Sequence, residues 1–462
     1  MDRFLHTIKS YFPEVKATLA IAMPIVIAQI GIILMGLVDN IMVGKLGAAA
    51  LGAVGIVNAI YYTINSIAFG GLAFLTPIIS KANAEQDTAE TDQLWHSCQI
   101  VPILYSVLTI SLTLVFYFAF KYLGQTTELN ALAKPYFLMI ILSTLPLHLF
   151  NGLKQYSDGL SHTKIAMYIT LMGVLSNIIL NYGLIYGHWG MPAYGVMGAG
   201  LATLISRILM LGCLYYLVTR KFDKHFIWQD FIKYQYWRNS FLLAQKGISV
   251  GFQFFFEYAA FCVAAIMVGW LGQYQLAAHQ IALSISSFTY MIASGLSSAG
   301  AIRVGRAVGY RSKDGILKAA NASIVITILF MGFNALCFLS FPLFFVKLYI
   351  SDEHVISYAV VLLMMAGVYQ ISDGLQVTAL GLLRGLMDTK TPTAITLFSY
   401  WIIGLPLGIL LTFYFDFGVK GIWIGLTLGL SVSAILLLTR FFYLLRKYSI
   451  DTFIDECGIE DN

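Results

Sequence analysis

The sequence predicts an all-α integral membrane protein: twelve transmembrane helices in two pseudo-twofold-related six-helix lobes. Three observations carry that expectation. Apolar runs long enough to cross a bilayer recur along the whole chain, the basic residues gather on one side of them, and three motifs return about 225 residues after their first appearance.

The apolar runs come first. At 462 residues, 59% hydrophobic and 11% charged, with a mean hydropathy of +0.79, the chain has more apolar surface than a soluble fold of this length can enclose. Charges and turn residues divide it into spans at 17–41, 53–79, 98–122, 132–154, 165–187, 195–219, 246–270, 277–301, 318–346, 356–383, 392–413 and 419–444. Each approaches the ~20 residues that a bilayer requires. No cleavage-like site follows the first run, so it is expected to be a retained helix rather than a signal peptide. The resulting plan is a cytoplasmic segment 1–16, a lobe 17–219, a linker 220–245, a second lobe 246–445 and a tail 446–462.

Charge asymmetry sets the expected orientation. The amino terminus (Arg3, Lys9, Lys16), the link after span six (Arg220 to Lys246), the link after span eight (Arg303 to Lys318), Arg384 and Lys390 fall on one side; Lys45, Lys121, Lys134, Lys347 and Lys420 fall on the other. Both termini are therefore expected to be cytoplasmic. The net charge of +5 is explained by this topology and gives no reason to expect nucleic-acid binding. Arg207 alone lies inside a span and reads as a packed or snorkelling side chain. Cys98, Cys213, Cys262, Cys337 and Cys457 are scattered, with no CxxC pair, and read as packing residues.

The repeats give the two lobes. Ile41-Met42-Val43-Gly44-Lys45-Leu46-Gly47 returns as Ile266-Met267-Val268-Gly269-Trp270-Leu271-Gly272, differing at one position. Gly159-Leu160-Ser161-His162-Thr163-Lys164 returns as Gly385-Leu386-Met387-Asp388-Thr389-Lys390, and Gly195-Val196-Met197-Gly198 as Gly418-Val419-Lys420-Gly421. An even number of spans per half gives both halves the same orientation, a pattern of secondary transporters.

Three acids fall in or beside apolar segments: Asp39, Glu257 and Asp373. A carboxylate there requires a cation, a partner or a proton. Tyr369 and Gln376 share a helix face with Asp373. Carboxylates with neutral oxygens suit a hard cation such as Na⁺, and a desolvated carboxyl is equally suited to carrying a proton; residue types alone leave both open. In the first half, Gln29, Asn177 and Asn181 are candidates to lie near Asp39 or to bond between helices. Gln253 and Gln280 are further candidate cavity residues, although His279 and Gln280 also read as a packing or hydrogen-bonding pair. Pro24, Pro146 and Pro406 lie within spans; Pro24, on the helix of Asp39, is read as a static kink. The aromatic run around Phe254 and Tyr258 packs span seven and suits bulky apolar cations. No GxxxxGK[ST] and no HExxH occurs, so neither ATP nor zinc hydrolysis is indicated, and no cofactor is expected.

The segments VDNIMVGKLG, IMVGWLG, FFFEY, YQISDGLQ and RGLMDTKTP together resemble the multidrug and toxic compound extrusion (MATE) antiporters, in particular their NorM branch. The likeness covers about residues 17–445. It implies a two-lobed exporter, not an enzyme, with a central cavity that exchanges inward-moving Na⁺ or H⁺ for outward-moving cationic, amphipathic drugs. By the same resemblance Glu257 and Asp373 would be the coupling acids, with Tyr369 adjacent, and Asp39 the first-lobe acid, with Asn177 and Asn181 near it. A monomer among membrane lipids is the expected state. Two rival readings are a lipid or polysaccharide-precursor flippase and a membrane-embedded lipid-modifying enzyme; mid-span acids argue against the first and duplicated halves against the second.

Overall fold

The computed structural model describes residues 2–122, 126–224 and 233–447, with side chains from residue 12 onward. Cys457, the middle of the linker after span six and the tail beyond Lys447 lie outside the described residues. Among those described, twelve helical stretches are long and apolar enough to cross a membrane: Phe12–Gly44, Ala48–Glu85, Thr88–Tyr122, Thr127–Gly159, Thr163–Tyr186, Gly195–Phe222, Tyr234–Gly269, Gln273–Gly309, Lys313–Ser340, Glu353–Gly385, Lys390–Tyr414 and Val419–Lys447. They are spans one to twelve here. Large apolar side chains such as Val115, Leu329 and Ile435 stay exposed, as lipid-facing residues do when the bilayer is the solvent.

Local chemistry sets the helix ends. Asp87 accepts from the Glu90 amide at 2.9 Å, Ser312 from the Gly315 amide at 3.0 Å and Asp352 from the His354 amide at 2.9 Å, each satisfying an amide that the helix leaves unpaired. Span nine departs from the expected 318–346. It stops at Ser340 and a separate short helix covers Pro342–Lys347, because Pro342 has no N–H to continue the ladder but is well placed to begin a new helix. In span eleven, π-helical turns at Phe398–Gly404 and Leu410–Tyr414 flank Pro406 and absorb the bond that the proline removes.

The chain forms two compact units, Ile27–Phe255 and Met1–Val26 with Phe256–Asn462. Relative to the halves 17–219 and 246–445, the first parts of spans one and seven have changed places. Glycines make this possible. A Cβ on Gly70 of span two would lie 2.9 Å from Gly251 Cα of span seven, and a Cβ on Gly295 of span eight would lie 3.2 Å from Val26 N of span one. The two glycines stand one repeat apart, so each unit uses the same close backbone contact.

The repeated motifs are turns with shared backbone conformations. Gly47 and Gly272 take φ 116° and 135°, Ser161 and Met387 64° and 62°, and Gly195 and Gly418 56° each. Gly425 serves the packing of span twelve on span eleven: a Cβ there would stand 2.6 Å from Gly408 Cα. Gly425→Val is expected to destabilise that unit by about 1–3 kcal/mol through overpacking. A lowered thermal unfolding midpoint in detergent would register the change.

Candidate functional site

Each unit contains its own polar cluster. In Ile27–Phe255, Asp39 is half-buried on span one and Asn177 and Asn181 are fully buried on span five. The asparagines stand one turn apart, so their side chains lie on one helix face and meet each other. Asn181 donates to Asp39 Oδ1 and also to Asn177 Oδ1 at 3.1 Å, and Asn177 donates to Thr203 Oγ1 of span six at 3.4 Å. The expected association of Asp39 with the two asparagines is present as a hydrogen-bonded chain across spans one, five and six.

Arg207 is packed rather than snorkelling. It is 5% exposed and donates to Ser143 Oγ at 2.6 Å and Tyr61 Oη at 3.1 Å, and its charge reaches Asp39. Hydrogen bonds from a buried guanidinium to neutral hydroxyls hold the cation without neutralising it. Asp39 therefore has a positive charge in its own unit.

In the other unit Glu257 of span seven and Asp373 of span ten are both buried and act electrostatically on each other. Gln376 lies beside Glu257 and accepts from Tyr400 Oη of span eleven at 2.8 Å. Tyr369 is within reach of the Asp373 charge and its hydroxyl pairs with Ser286 of span eight. Gln370, one helix position away, donates to Thr289 Oγ1 at 2.9 Å. The result is two carboxylates in a setting of amide and hydroxyl oxygens. Among the described residues no group of three or more His, Cys, Asp or Glu could hold a metal ion. Two carboxylates with neutral oxygens match a single hard monovalent cation better than a transition metal.

Sequence reasoning gives no place in these clusters to Tyr61, Ser143 and Thr203 in one unit or to Ser286, Thr289, Tyr290, Tyr400 and Arg384 in the other. Arg384 was counted with the basic residues between spans; it is instead buried in the last turn of span ten, and its charge reaches Glu257. Its spacing from Asp373, eleven residues or three helical turns, was the available signal. The structure leaves other candidates apart from these clusters. Gln280 is exposed whereas His279 is buried, accepting from Trp423 Nε1 at 3.1 Å, so the two do not form a pair. Gln253 is buried in the unit of Asp39, not that of Glu257, and Gln29 is half-buried on span one.

The MatE family profile matches residues 24–183 and again 250–410, two stretches of nearly equal length that together cover most of the chain. The chain belongs to the MatE family. This MatE protein is 34% identical over 454 residues to the multidrug resistance protein MdtK of Yersinia pseudotuberculosis, covering 95% of this chain and 97% of that one. It is 31% identical over 450 residues to the probable multidrug resistance protein NorM of Agrobacterium fabrum, with 95% and 96% covered. Its fold matches that of the eukaryotic MATE transporter AtDTX14 with a TM-score of 0.85 at 20% identity, covering 97% and 98%, and that of the Vibrio cholerae MATE transporter VcmN with 0.82 at 18%, covering 96% and 99%. As a MatE protein the chain is a multi-pass membrane transporter and not an enzyme.

Proposed function

We propose that this MatE protein exports cationic, amphipathic small molecules in exchange for Na⁺ or H⁺ by alternating access. It works as a monomer in the inner membrane of a bacterial cell, with both termini cytoplasmic. The buried pair Glu257 and Asp373 carries the reading. Ionised carboxylates withdrawn from water are costly unless a cation or proton joins them, so an ion that enters and leaves there changes the energy of its unit. Asp39, held by Asn181, offers the other unit an acid for a proton or a cationic substrate. If ion and drug favour different arrangements of the protein, each weakens the other's binding by the same factor.

The names of the relatives support a multidrug spectrum. An anionic lipid substrate would need unmatched basic groups in the interior, whereas Arg207 and Arg384 each lie within reach of an acid. Efflux of a fluorescent organic cation from proteoliposomes, under an imposed Na⁺ gradient and then a pH gradient, tests the proposal. Acceleration by at least one gradient is expected; indifference to both would refute exchange.

A further inference from the structure

We propose that Arg384 is a built-in counter-cation of the Glu257–Asp373 site, which keeps Na⁺ bound loosely enough to be released. The inference rests on the antiporter reading above with Na⁺ as the ion. Among the described residues only two arginine or lysine side chains are buried, Arg207 and Arg384, and each unit holds one.

The place of Arg384 is fixed by packing. Helical side chains lean toward the N-terminus of their helix. Arg384 does so: its Nε donates to the Leu380 carbonyl oxygen at 3.3 Å, one turn back, and its Nη2 donates to Ser297 Oγ of span eight at 3.2 Å. Ser297 Oγ in turn donates to the Val377 carbonyl oxygen at 2.6 Å. A Cβ on Gly381 would stand 2.8 Å from the Ser297 carbonyl carbon, so the two spans are in backbone contact beside the guanidinium. The cation is thus tied on the Asp373 face of span ten, and its charge acts on Glu257 and Tyr290.

Charge balance gives the role. With both carboxylates ionised, the cluster of Glu257, Asp373 and Arg384 has one net negative charge, which one Na⁺ neutralises. Without Arg384 the same oxygens would confront Na⁺ with two negative charges. A transported ion must bind well enough to enter and weakly enough to leave. The bonds to Ser297 and Leu380 hold the guanidinium in place, and from there its charge acts on Glu257.

The test is Na⁺-dependent ethidium efflux from proteoliposomes, with the half-saturating Na⁺ concentration as readout. Arg384→Gln and Arg384→Met, which keep an unbranched stem and remove charge, are expected to lower that concentration at least about threefold and to slow maximal exchange. Arg384→Lys is expected to stay within about twofold of the wild type. Glu257→Gln leaves the cluster neutral, and adding Arg384→Gln restores one net negative charge; the double variant is expected to regain part of the Na⁺ response. An arginine that served packing alone would produce neither the tightening nor the recovery. An unchanged or higher Na⁺ requirement in both charge-removing variants overturns the role of Arg384 while leaving antiport standing. A wild type indifferent to Na⁺ overturns the Na⁺ site and this role together.

Discussion

Glu257→Gln and Asp373→Asn should each cut ion-driven efflux by at least about tenfold while leaving the amount of protein in the membrane unchanged. Both substitutions keep size and an acceptor oxygen, so Gln376 beside Glu257 and the packing of span ten are retained. What they remove is one charge. The cluster of Glu257, Asp373 and Arg384 then becomes neutral, and a monovalent cation has no net charge left to balance. At an effective dielectric of ~20, one charge at ~4 Å is worth about 4 kcal/mol, so a tenfold loss, about 1.4 kcal/mol, is a conservative expectation. Because both acids serve one ion, the double variant should resemble the weaker single variant rather than show the product of the two losses. Efflux in proteoliposomes and quantification of membrane-inserted protein check both statements. Full efflux in each single variant would remove these acids from the coupling site.

The same residues show what a sequence can and cannot disclose. Spans were legible because a bilayer demands a run of a certain length, but their ends were less so: spans three and seven begin earlier than expected, at Thr88 and Tyr234, span eight runs on to Gly309 through Arg303 and Arg306, and span nine stops at Ser340 before Pro342. The internal repeat was legible where a turn needs φ above zero and so preserves glycine, as at Gly47 and Gly272. Gln86 and Arg311 form another such turn pair, with φ 59° and 50° and the same spacing, yet no shared residue marks them. The units were not legible. Their boundaries lie inside continuous helices at Val26 and Phe255, and depend on which backbone Gly70 and Gly295 admit. At the site, Asp39, Glu257 and Asp373 stood out because an acid in an apolar run needs an explanation. Tyr290 and Tyr400 did not, since tyrosine is common in such runs and only tertiary packing decides which hydroxyls come within electrostatic reach of the acids. Arg384 was masked by its neighbours: at the end of a span, a buried arginine and a flanking arginine look alike.

Asp39→Asn should weaken export of a cationic substrate at least about tenfold and leave the Na⁺ dependence of the other unit in place. Asparagine preserves the acceptor that Asn181 needs, so the chain through Asn177 to Thr203 can persist. The electrostatic change is the loss of one negative charge. With Asp39 ionised, its charge and that of Arg207 offset one another within reach; with asparagine in its place, Arg207 remains as a buried cation without that offset and the local field becomes positive. A cationic substrate thereby loses the attraction that balanced the repulsion of Arg207, whereas a neutral one is indifferent to both. Arg207→Met in the Asp39→Asn background removes that repulsion and should recover part of the lost export, provided Tyr61 and Ser143 find each other or water. Apparent affinities for a cationic dye and an uncharged analogue, measured across the wild type and these two variants, separate the effects. Equal losses for both substrates would assign Asp39 to the conformational step instead of to substrate charge.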